Sequence, residues 1–163
     1  MKDGHPVLVS DIDGTAFYWS LPPRIQEFLF RHKHWLILAS PLFPAYIFRP
    51  CNRKTRALIR ENQEKGGRNI FVSATKDMRL TRPIVNACLR ASHMPLDELI
   101  LCPQDESARD FKLRIVQEEG CDILLEDEKK IVDHVVDVMR REGVHSDVTK
   151  NGGGYFTVRF SKN

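Results

Sequence analysis

Short apolar runs alternate along the chain with longer stretches that mix apolar and polar residues. Four runs are brief, nearly continuous in apolar residues and bounded by polar or turn residues, which is typical of buried parallel strands. They begin at Val7, Asn69, Leu99 and Asp122. The longer stretches predict helices with one apolar side at residues 54–65, from residue 81 onward, and at 109–119 and 131–141. The chain therefore alternates strands and helices.

Turn residues support these boundaries. Gly66 and Gly67 end the first of these helices, Thr81 is a candidate N-cap for the second, and Gly120 ends the third. Residues 147–150 and 155–160 flank a glycine-rich turn, which predicts a C-terminal β-hairpin. Repeated strand–helix units favour an α/β fold, a Rossmann-like three-layer sandwich with a mainly parallel sheet and helices on both faces.

Residues 20–53 form a separate compositional unit within a chain of 163 residues, a length that suits a single domain. Between Ser20 and Arg60 the formal charge is +7, whereas the rest of the chain carries −4 and the total is +3. Nine of the fourteen aromatic residues lie between Phe17 and Phe48. We expect one domain spanning residues 1–163, in which residues 20–53 are a basic, aromatic-rich insert or small cap after the first strand.

Within this insert, a helix is predicted from Leu21 to His34, followed by an apolar run over residues 35–48. The run is too short to span a bilayer, which needs about 20 residues. A buried hairpin, a small cap, a dimer contact and an interfacial segment all remain open. Burial is favoured over membrane contact because most apolar runs of soluble proteins lie inside.

Cysteine usage and the N-terminus indicate a cytoplasmic protein. The four cysteines are scattered without C-x-x-C spacing, which suits reduced, packed thiols. No signal-peptide pattern precedes Val7. His32 and His34 lie two residues apart without a cysteine or acid at zinc spacing, so a zinc site is disfavoured. Oligomeric state is left open.

Polar side chains follow three of the predicted strands. Asp11 and Asp13 end the first, Ser73 ends the second, and Glu126 with Asp127 ends the fourth. Ligands of open α/β sheets bind at the carboxyl ends of the strands. Two carboxylates held close repel unless a cation or a shared proton compensates them. The pattern predicts a metal site or an acid/base pair at this edge of the sheet.

The run Asp11-Ile12-Asp13-Gly14-Thr15 after an apolar strand resembles the first motif of the haloacid dehalogenase superfamily, D-x-D-G-T. The resemblance covers nearly the whole chain, since later elements follow in that family's order. It implies that Asp11 is the nucleophile and a Mg²⁺ ligand. It implies that Asp13 is the general acid/base, with its backbone carbonyl facing the metal. Carboxylates and a carbonyl suit a hard cation such as Mg²⁺.

The family's other motifs resemble later residues. Ser73 corresponds to the strand-terminal hydroxyl that donates to a phosphoryl oxygen, with Thr75 as the fallback. Lys112 corresponds to the lone basic residue that offsets phosphoryl charge, with Lys76 and Arg109 as runners-up. Asp127 corresponds to the main acidic metal-site residue, with Glu126 as its partner, bound directly or through water.

The resemblance implies a Mg²⁺-dependent phosphomonoester hydrolase acting through an aspartyl-phosphate at Asp11. A dehalogenase is disfavoured because those members lack the second aspartate. Residues 82–83, 96–100 and Lys112 also resemble, loosely, the phosphatase domains of polynucleotide kinase-phosphatases. With the basic aromatic segment, this favours a nucleotide or nucleic-acid 3′-phosphate. The alternatives are a small-metabolite phosphatase and a membrane-surface or interaction protein with a secondary phosphate site.

Overall fold

The computed structural model describes residues 5–13, 15–17, 51–76 and 81–162. Its strands are β1 (Val7–Asp11), β2 (Arg68–Lys76), β3 (Glu98–Cys102), β4 (Ile123–Glu126), β5 (Val144–Lys150) and β6 (Phe156–Lys162). Its helices are α1 (Arg53–Glu64), α2 (Thr81–Ala91), α3 (Ala108–Glu119) and α4 (Lys129–Arg141). Each strand and helix predicted for these residues is present, with ends that move by a few positions.

The strands form one mixed sheet in the order β3-β2-β1-β4-β6-β5. The pairs β1–β2, β1–β4 and β2–β3 are parallel, whereas β4–β6 and β5–β6 are antiparallel. The chain moves from β1 to β2 and β3 on one side and then returns to place β4 on the other side of β1. The strand order thus reverses between β1 and β4.

Two hydrophobic cores lie on opposite faces of the sheet. Adjacent strand residues point to different faces, so Leu8 joins one core and Val9 the other. One core packs α3 and α4 through Phe111, Ile115 and Val135, among others. The second core packs α1 and α2 through residues that include Ile59, Val85 and Leu89. The three-layer α/β sandwich predicted from the sequence is therefore confirmed.

Local capping explains where the helices begin and end. The side chain of Asn52 accepts hydrogen bonds from the backbone N–H groups of Lys54 and Thr55 and caps α1. Ser107 caps α3, and Gly120 ends it with a φ of 65°, a conformation that glycine adopts without strain. Helix α2 already includes Thr81, which the sequence suggested as its N-cap.

The predicted insert falls largely outside the described residues. Residues 18–50 are not described, and they include the helix predicted from Leu21 to His34 and the apolar run 35–48. The assignment of residues 20–53 as an insert or cap accordingly stays a prediction. Among the helices that the structure describes, none has the length and apolar character needed to cross a bilayer.

The four cysteines all lie in the described part of the chain, and none of them forms a disulfide bond. Cys88, Cys102 and Cys121 are buried, and Cys51 is partly exposed. Burial raises the pKa of Cys121 to about 12, which keeps this thiol protonated and unreactive near neutral pH. The thiols are packed, as the sequence indicated.

Candidate active site

The point where the strand order reverses carries two carboxylates on neighbouring strands. Asp11 is the last residue of β1 and Glu126 is the last residue of β4. The parallel register pairs Ser10 with Leu125, so the two acids follow directly at the same edge of the sheet. Open α/β sheets place their ligands outside the carboxyl ends of the strands at such a reversal. The fold itself therefore brings Asp11 and Glu126 together.

Helix α3 places a buried lysine between these acids. The Nζ of Lys112 lies 2.7 Å from Oδ1 of Asp11 and 2.5 Å from Oε2 of Glu126. Phe111 and Ile115 anchor the same helix in the core beneath the sheet, which directs the Lys112 stem inward. The whole lysine is only 2% exposed. A charged side chain is buried this deeply only when it is paired, and here it has two partners.

The two oxygens of Glu126 have different partners. Oε2 accepts from Lys112, and Oε1 accepts from the backbone N–H of Glu128 at 3.1 Å. The side chain is fully buried. Glu126 is thus fixed by two hydrogen bonds within the protein and in turn fixes the position of the Lys112 ammonium group.

Asp127 completes a cluster of three carboxylates. One oxygen from each of Asp11, Glu126 and Asp127 lies within 4.8 Å of the others. Asp127 is partly exposed, unlike the other two. Oxygen donors from several carboxylates are the ligand type that Mg²⁺ and Ca²⁺ prefer. The donor set therefore fits a hard divalent cation.

Burial shifts the protonation of this cluster. Burial raises the pKa of Asp11 to about 7, even though the Lys112 charge acts in the opposite direction. Burial and the Asp11 charge raise the pKa of Asp127 to about 6, and burial also raises that of Glu126. Burial alone would lower the pKa of Lys112, but Asp11 and Glu126 outweigh it and raise that pKa. The lysine stays charged, whereas three ionised carboxylates would carry more negative charge than one lysine can balance, so the carboxyl groups keep their protons to a higher pH than usual.

Of the remaining predicted residues, Asp13 and Ser73 lie near Asp11. Asp13 is partly exposed two residues beyond Asp11, in a bridge to Phe17. Ser73 is buried on β2, one position beyond Val72, which pairs with Asp11. The strand does not end at Ser73 as predicted, because β2 continues to Lys76 after a register shift against β3. Arg109, a runner-up for the basic residue, is exposed and contacts Asp110 instead. The side chains of Thr75 and Lys76 lie outside the described residues.

Two solved structures share this architecture over most of the chain. One, titled "Structure of Pnkp1/Rnl/Hen1 complex", aligns with a TM-score of 0.55 and 18% identity over 86% of this chain and 44% of that one. A class C acid phosphatase from Bacillus anthracis with tungstate bound aligns with a TM-score of 0.53 and 13% identity over 85% of this chain and 62% of that one. The likeness at these identities is one of fold. The chain thus spans less than two thirds of either structure.

A third solved structure, a hydrolase from Streptococcus pneumoniae TIGR4, aligns with a TM-score of 0.42 and 9% identity over 72% of this chain and 79% of that one. No protein-family model and no curated protein matches the sequence.

The structure adds residues beside the site that the sequence did not single out. Asn52 donates its backbone N–H to the carbonyl of Ala16, and Thr55 donates its hydroxyl to the carbonyl of Thr15. These bonds attach the start of α1 to the segment that follows Asp13. An Asn directly before an amphipathic run is a recognisable N-cap signal, so Asn52 could have been found. Its contact with residues 15–17 depends on tertiary structure.

Proposed function

We propose that this chain is a Mg²⁺-dependent phosphomonoester hydrolase in which Asp11 is the nucleophile. The observation that carries the proposal is the contact of Asp11 with Lys112, beside Asp127, at the point where the strand order reverses. The fold likeness to a class C acid phosphatase supports the same reaction class. Asp11 and Asp13 also match the motif D-x-D-G-T residue by residue.

In the proposed reaction a carboxylate oxygen of Asp11 attacks phosphorus and the bond from phosphorus to the leaving oxygen breaks. Asp13 gives its proton to that leaving oxygen, which departs as an alcohol. Asp13, now ionised, takes a proton from a water molecule whose oxygen attacks phosphorus. The bond between phosphorus and Asp11 then breaks, which releases inorganic phosphate and restores both side chains.

Asp11 and Asp127 are the residues proposed to hold Mg²⁺, together with the backbone carbonyl of Asp13. Mg²⁺ supplies positive charge that favours the ionised carboxylates and offsets the charge of the phosphoryl group. Glu126 is the least available ligand, because both of its oxygens already accept hydrogen bonds. Its proposed role is to hold Lys112 against Asp11.

Lys112 and Ser73 are proposed to bind the phosphoryl oxygens. The Lys112 ammonium is fixed in place before substrate arrives, so its charge stabilises the transferring group without reorganisation. Ser73 ends a buried portion of β2 beside Asp11 and has a hydroxyl that can donate.

The substrate class that we favour is a nucleotide or nucleic-acid 3′-phosphate. The supporting observations are the +7 charge between Ser20 and Arg60 and the exposed cationic side chains of α1. These side chains are Arg53, Lys54 and Arg60. Cations that bind phosphates are a general feature of nucleic-acid binding. A small-metabolite phosphatase is the alternative.

Hydrolysis of p-nitrophenyl phosphate with and without Mg²⁺ tests the reaction class. We expect Mg²⁺-dependent release of p-nitrophenol that the Asp11→Asn variant lowers by at least ~10³-fold, because the amide is not a nucleophile. Asp133→Asn is the matched control, since Asp133 is an exposed carboxylate that pairs with Lys129 on α4. A screen of nucleoside, sugar and oligonucleotide phosphates then ranks the substrates.

Two results would refute the proposal. One is an absence of Mg²⁺-dependent hydrolysis across the whole panel. The other is activity that survives Asp11→Asn at the wild-type level, because it would remove the nucleophile from its proposed role.

A further inference from the structure

Three segments meet on one side of the candidate active site, and we refer to residues 15–17, 51–55 and 151–155 as the rim segments. The first two are joined by the bonds from Asn52 to Ala16 and from Thr55 to Thr15. Phe17 and Tyr155 belong to one hydrophobic core, which joins the first segment to the third. The rim segments are therefore linked to one another beside the start of α1.

The third rim segment is the turn of the β5–β6 hairpin. The pairing of β6 with β4 places this turn beside Glu126 and Asp127. Phe156 pairs with Glu126, so the turn lies just beyond the end of β4. The turn is closed by a hydrogen bond from the backbone N–H of Asn151 to the carbonyl of Tyr155. The sequence predicted this hairpin but gave no reason to place its turn near Asp127.

Lys54 connects the start of α1 with the hairpin turn. A Cβ atom built on Gly152 would lie 4.0 Å from the Nζ of Lys54. Lys54 is exposed and forms no ion pair with any residue that the structure describes. The rim segments contain Arg53 and Lys54 but no acidic residue. The exposed ammonium group of Lys54 thus lies beside a site whose central residues are acidic.

The rim segments also hold polar groups without partners. Within the described part of the chain, five buried side-chain polar atoms lack a hydrogen bond, and three of them are in the rim segments. They are the Thr15 hydroxyl, the Asn52 amide nitrogen and the Tyr155 hydroxyl. Asn52 is 1% exposed, and its side-chain oxygen lies against the first turn of α1. Unpaired buried polar groups in native proteins usually indicate an ordered water, an ion or a functional demand.

We propose that Lys54 and the rim segments bind a second phosphate of the substrate, beside the phosphomonoester that Asp11 attacks. The proposal rests on the phosphatase function proposed above. A helix N-terminus favours anions, and α1 has no acidic residue in its first turn to compete with one. A Cβ atom built on Gly152 would meet only the Lys54 Nζ within 4 Å, and one built on Gly154 would meet no atom, so the turn is uncrowded beside Lys54. The substrate class is then a phosphomonoester that carries another phosphate nearby.

Such a second phosphate has two sources. A nucleoside 3′,5′-bisphosphate carries it on the same sugar, whereas a dinucleotide with a terminal 3′-phosphate carries it as the phosphodiester. The two arrangements separate the phosphates differently, so comparing them with a nucleoside 3′-monophosphate identifies which source the rim segments accept.

Steady-state kinetics with these three substrates and Mg²⁺ test the proposal. We expect the wild type to prefer at least one substrate with a second phosphate. We also expect Lys54→Gln to reduce that preference roughly tenfold through KM, the scale of one charge-assisted hydrogen bond. Lys65→Gln is the matched control at the other end of α1, where Lys65 pairs with Glu61, and it keeps the preference. An equal change for all three substrates in Lys54→Gln would overturn the proposal.

A binding measurement separates this proposal from the failure of the proposed function. Calorimetry on the Asp11→Asn protein measures affinity for the nucleoside 3′,5′-bisphosphate and for the dinucleotide without turnover. Adding Lys54→Gln should lower the affinity for whichever of these two ligands binds more tightly, roughly tenfold. Affinity that is unchanged by Lys54→Gln refutes the subsite, whatever the kinetics show. Loss of hydrolysis with retained, Lys54-dependent binding refutes only the hydrolase.

Discussion

Each edge of the sheet has one basic side chain held by two carboxylates, yet the two trios differ in burial. At the edge where β2 and β3 begin, Arg68 pairs with Glu98 and Glu119. These side chains are 40%, 41% and 18% exposed. At the opposite edge Lys112 pairs with Asp11 and Glu126. The side chain of Lys112 is 3% exposed, that of Asp11 is 7% exposed and that of Glu126 is 0% exposed. The ion pairs of Arg68 are therefore in contact with water, whereas those of Lys112 are almost completely buried.

Because of this difference in burial, the two trios contribute differently to stability. Solvent screens the Arg68 trio, so its ion pairs contribute little to stability. The Lys112 trio has lost its hydration, and Asp127 adds a further acid beside it. Buried, unbalanced charges with shifted pKa values occur preferentially at functional sites. The Lys112 trio, whose burial has the larger desolvation penalty, is thus the better candidate for a functional site.

Removal of the Lys112 charge should give the largest effect. In Lys112→Met the buried Asp11 and Glu126 face each other without their cation, so we expect a loss of about 3–5 kcal/mol in the free energy of unfolding. Phosphatase activity should fall with it, at least ~10²-fold. Urea unfolding and p-nitrophenyl phosphate hydrolysis measure the two effects. A loss below about 1 kcal/mol would mean that the two edges do not differ as described.

The next effect separates the roles of Glu126 and Asp127. Asp127→Asn should raise the Mg²⁺ concentration for half-maximal activity by more than about tenfold, because it removes a proposed ligand. Glu126→Gln should leave that concentration nearly unchanged and lower kcat by about 10- to 100-fold, because it loosens Lys112. Mg²⁺ titrations of both variants check this. Equal Mg²⁺ dependence in the two variants contradicts the division of roles.

The pKa of Asp11 predicts a pH effect on stability in the absence of metal. Its value of about 7 in the folded protein exceeds the ordinary 3.8, so between these values the folded state binds the extra proton. This contribution to stability is complete below pH 3.8 and is lost as the pH rises through 7. As the pH rises from 3.8 to 7, the free energy of unfolding of the wild type should fall relative to that of Asp11→Asn by up to ~1.4 kcal/mol per pH unit.

Urea unfolding of both proteins in EDTA, at several pH values between 4 and 8, measures that difference. Asp133→Asn is again the control, because this exposed carboxylate should show no comparable trend. A difference between wild type and Asp11→Asn that is constant across the range would contradict the raised pKa. Added Mg²⁺ should stabilise the wild type more at pH 8 than at pH 5, since it binds the ionised carboxylate.

The smallest effect is expected at the other edge. Arg68→Gln removes both exposed ion pairs, yet it should lower the free energy of unfolding by less than about 1 kcal/mol, since solvent screens them. Activity should stay at the wild-type level because Arg68 lies at the far edge from Asp11. High salt should reduce even this small difference. A loss similar to that of Lys112→Met would remove the contrast between the edges.

The sequence predicted the strand ends well because buried parallel strands leave short, nearly uninterrupted apolar runs. The positions of Asp11 and Glu126 at strand ends follow from that signal alone, whereas β2 continues past Ser73 to Lys76. The choice of Lys112 needed the family resemblance, since a lysine in a helix gives no sign of burial. Strand order could not be read, because pairing of β4 with β6 depends on contacts between distant parts of the chain. Tyr155 and the hairpin turn were therefore not expected beside the acids.

Strand β1 precedes every other described strand in the chain and lies in the middle of the sheet. The nucleophile candidate is therefore synthesised before Lys112 and the acidic pair. Contacts between residues so far apart form slowly, because a long loop must close before they are made. A fragment that ends before α3 would carry Asp11 and Ser73 without Lys112 and without Asp127, the proposed metal ligand. The proposed chemistry at Asp11 thus has to wait until β4 and Asp127 have been synthesised and have folded against β1.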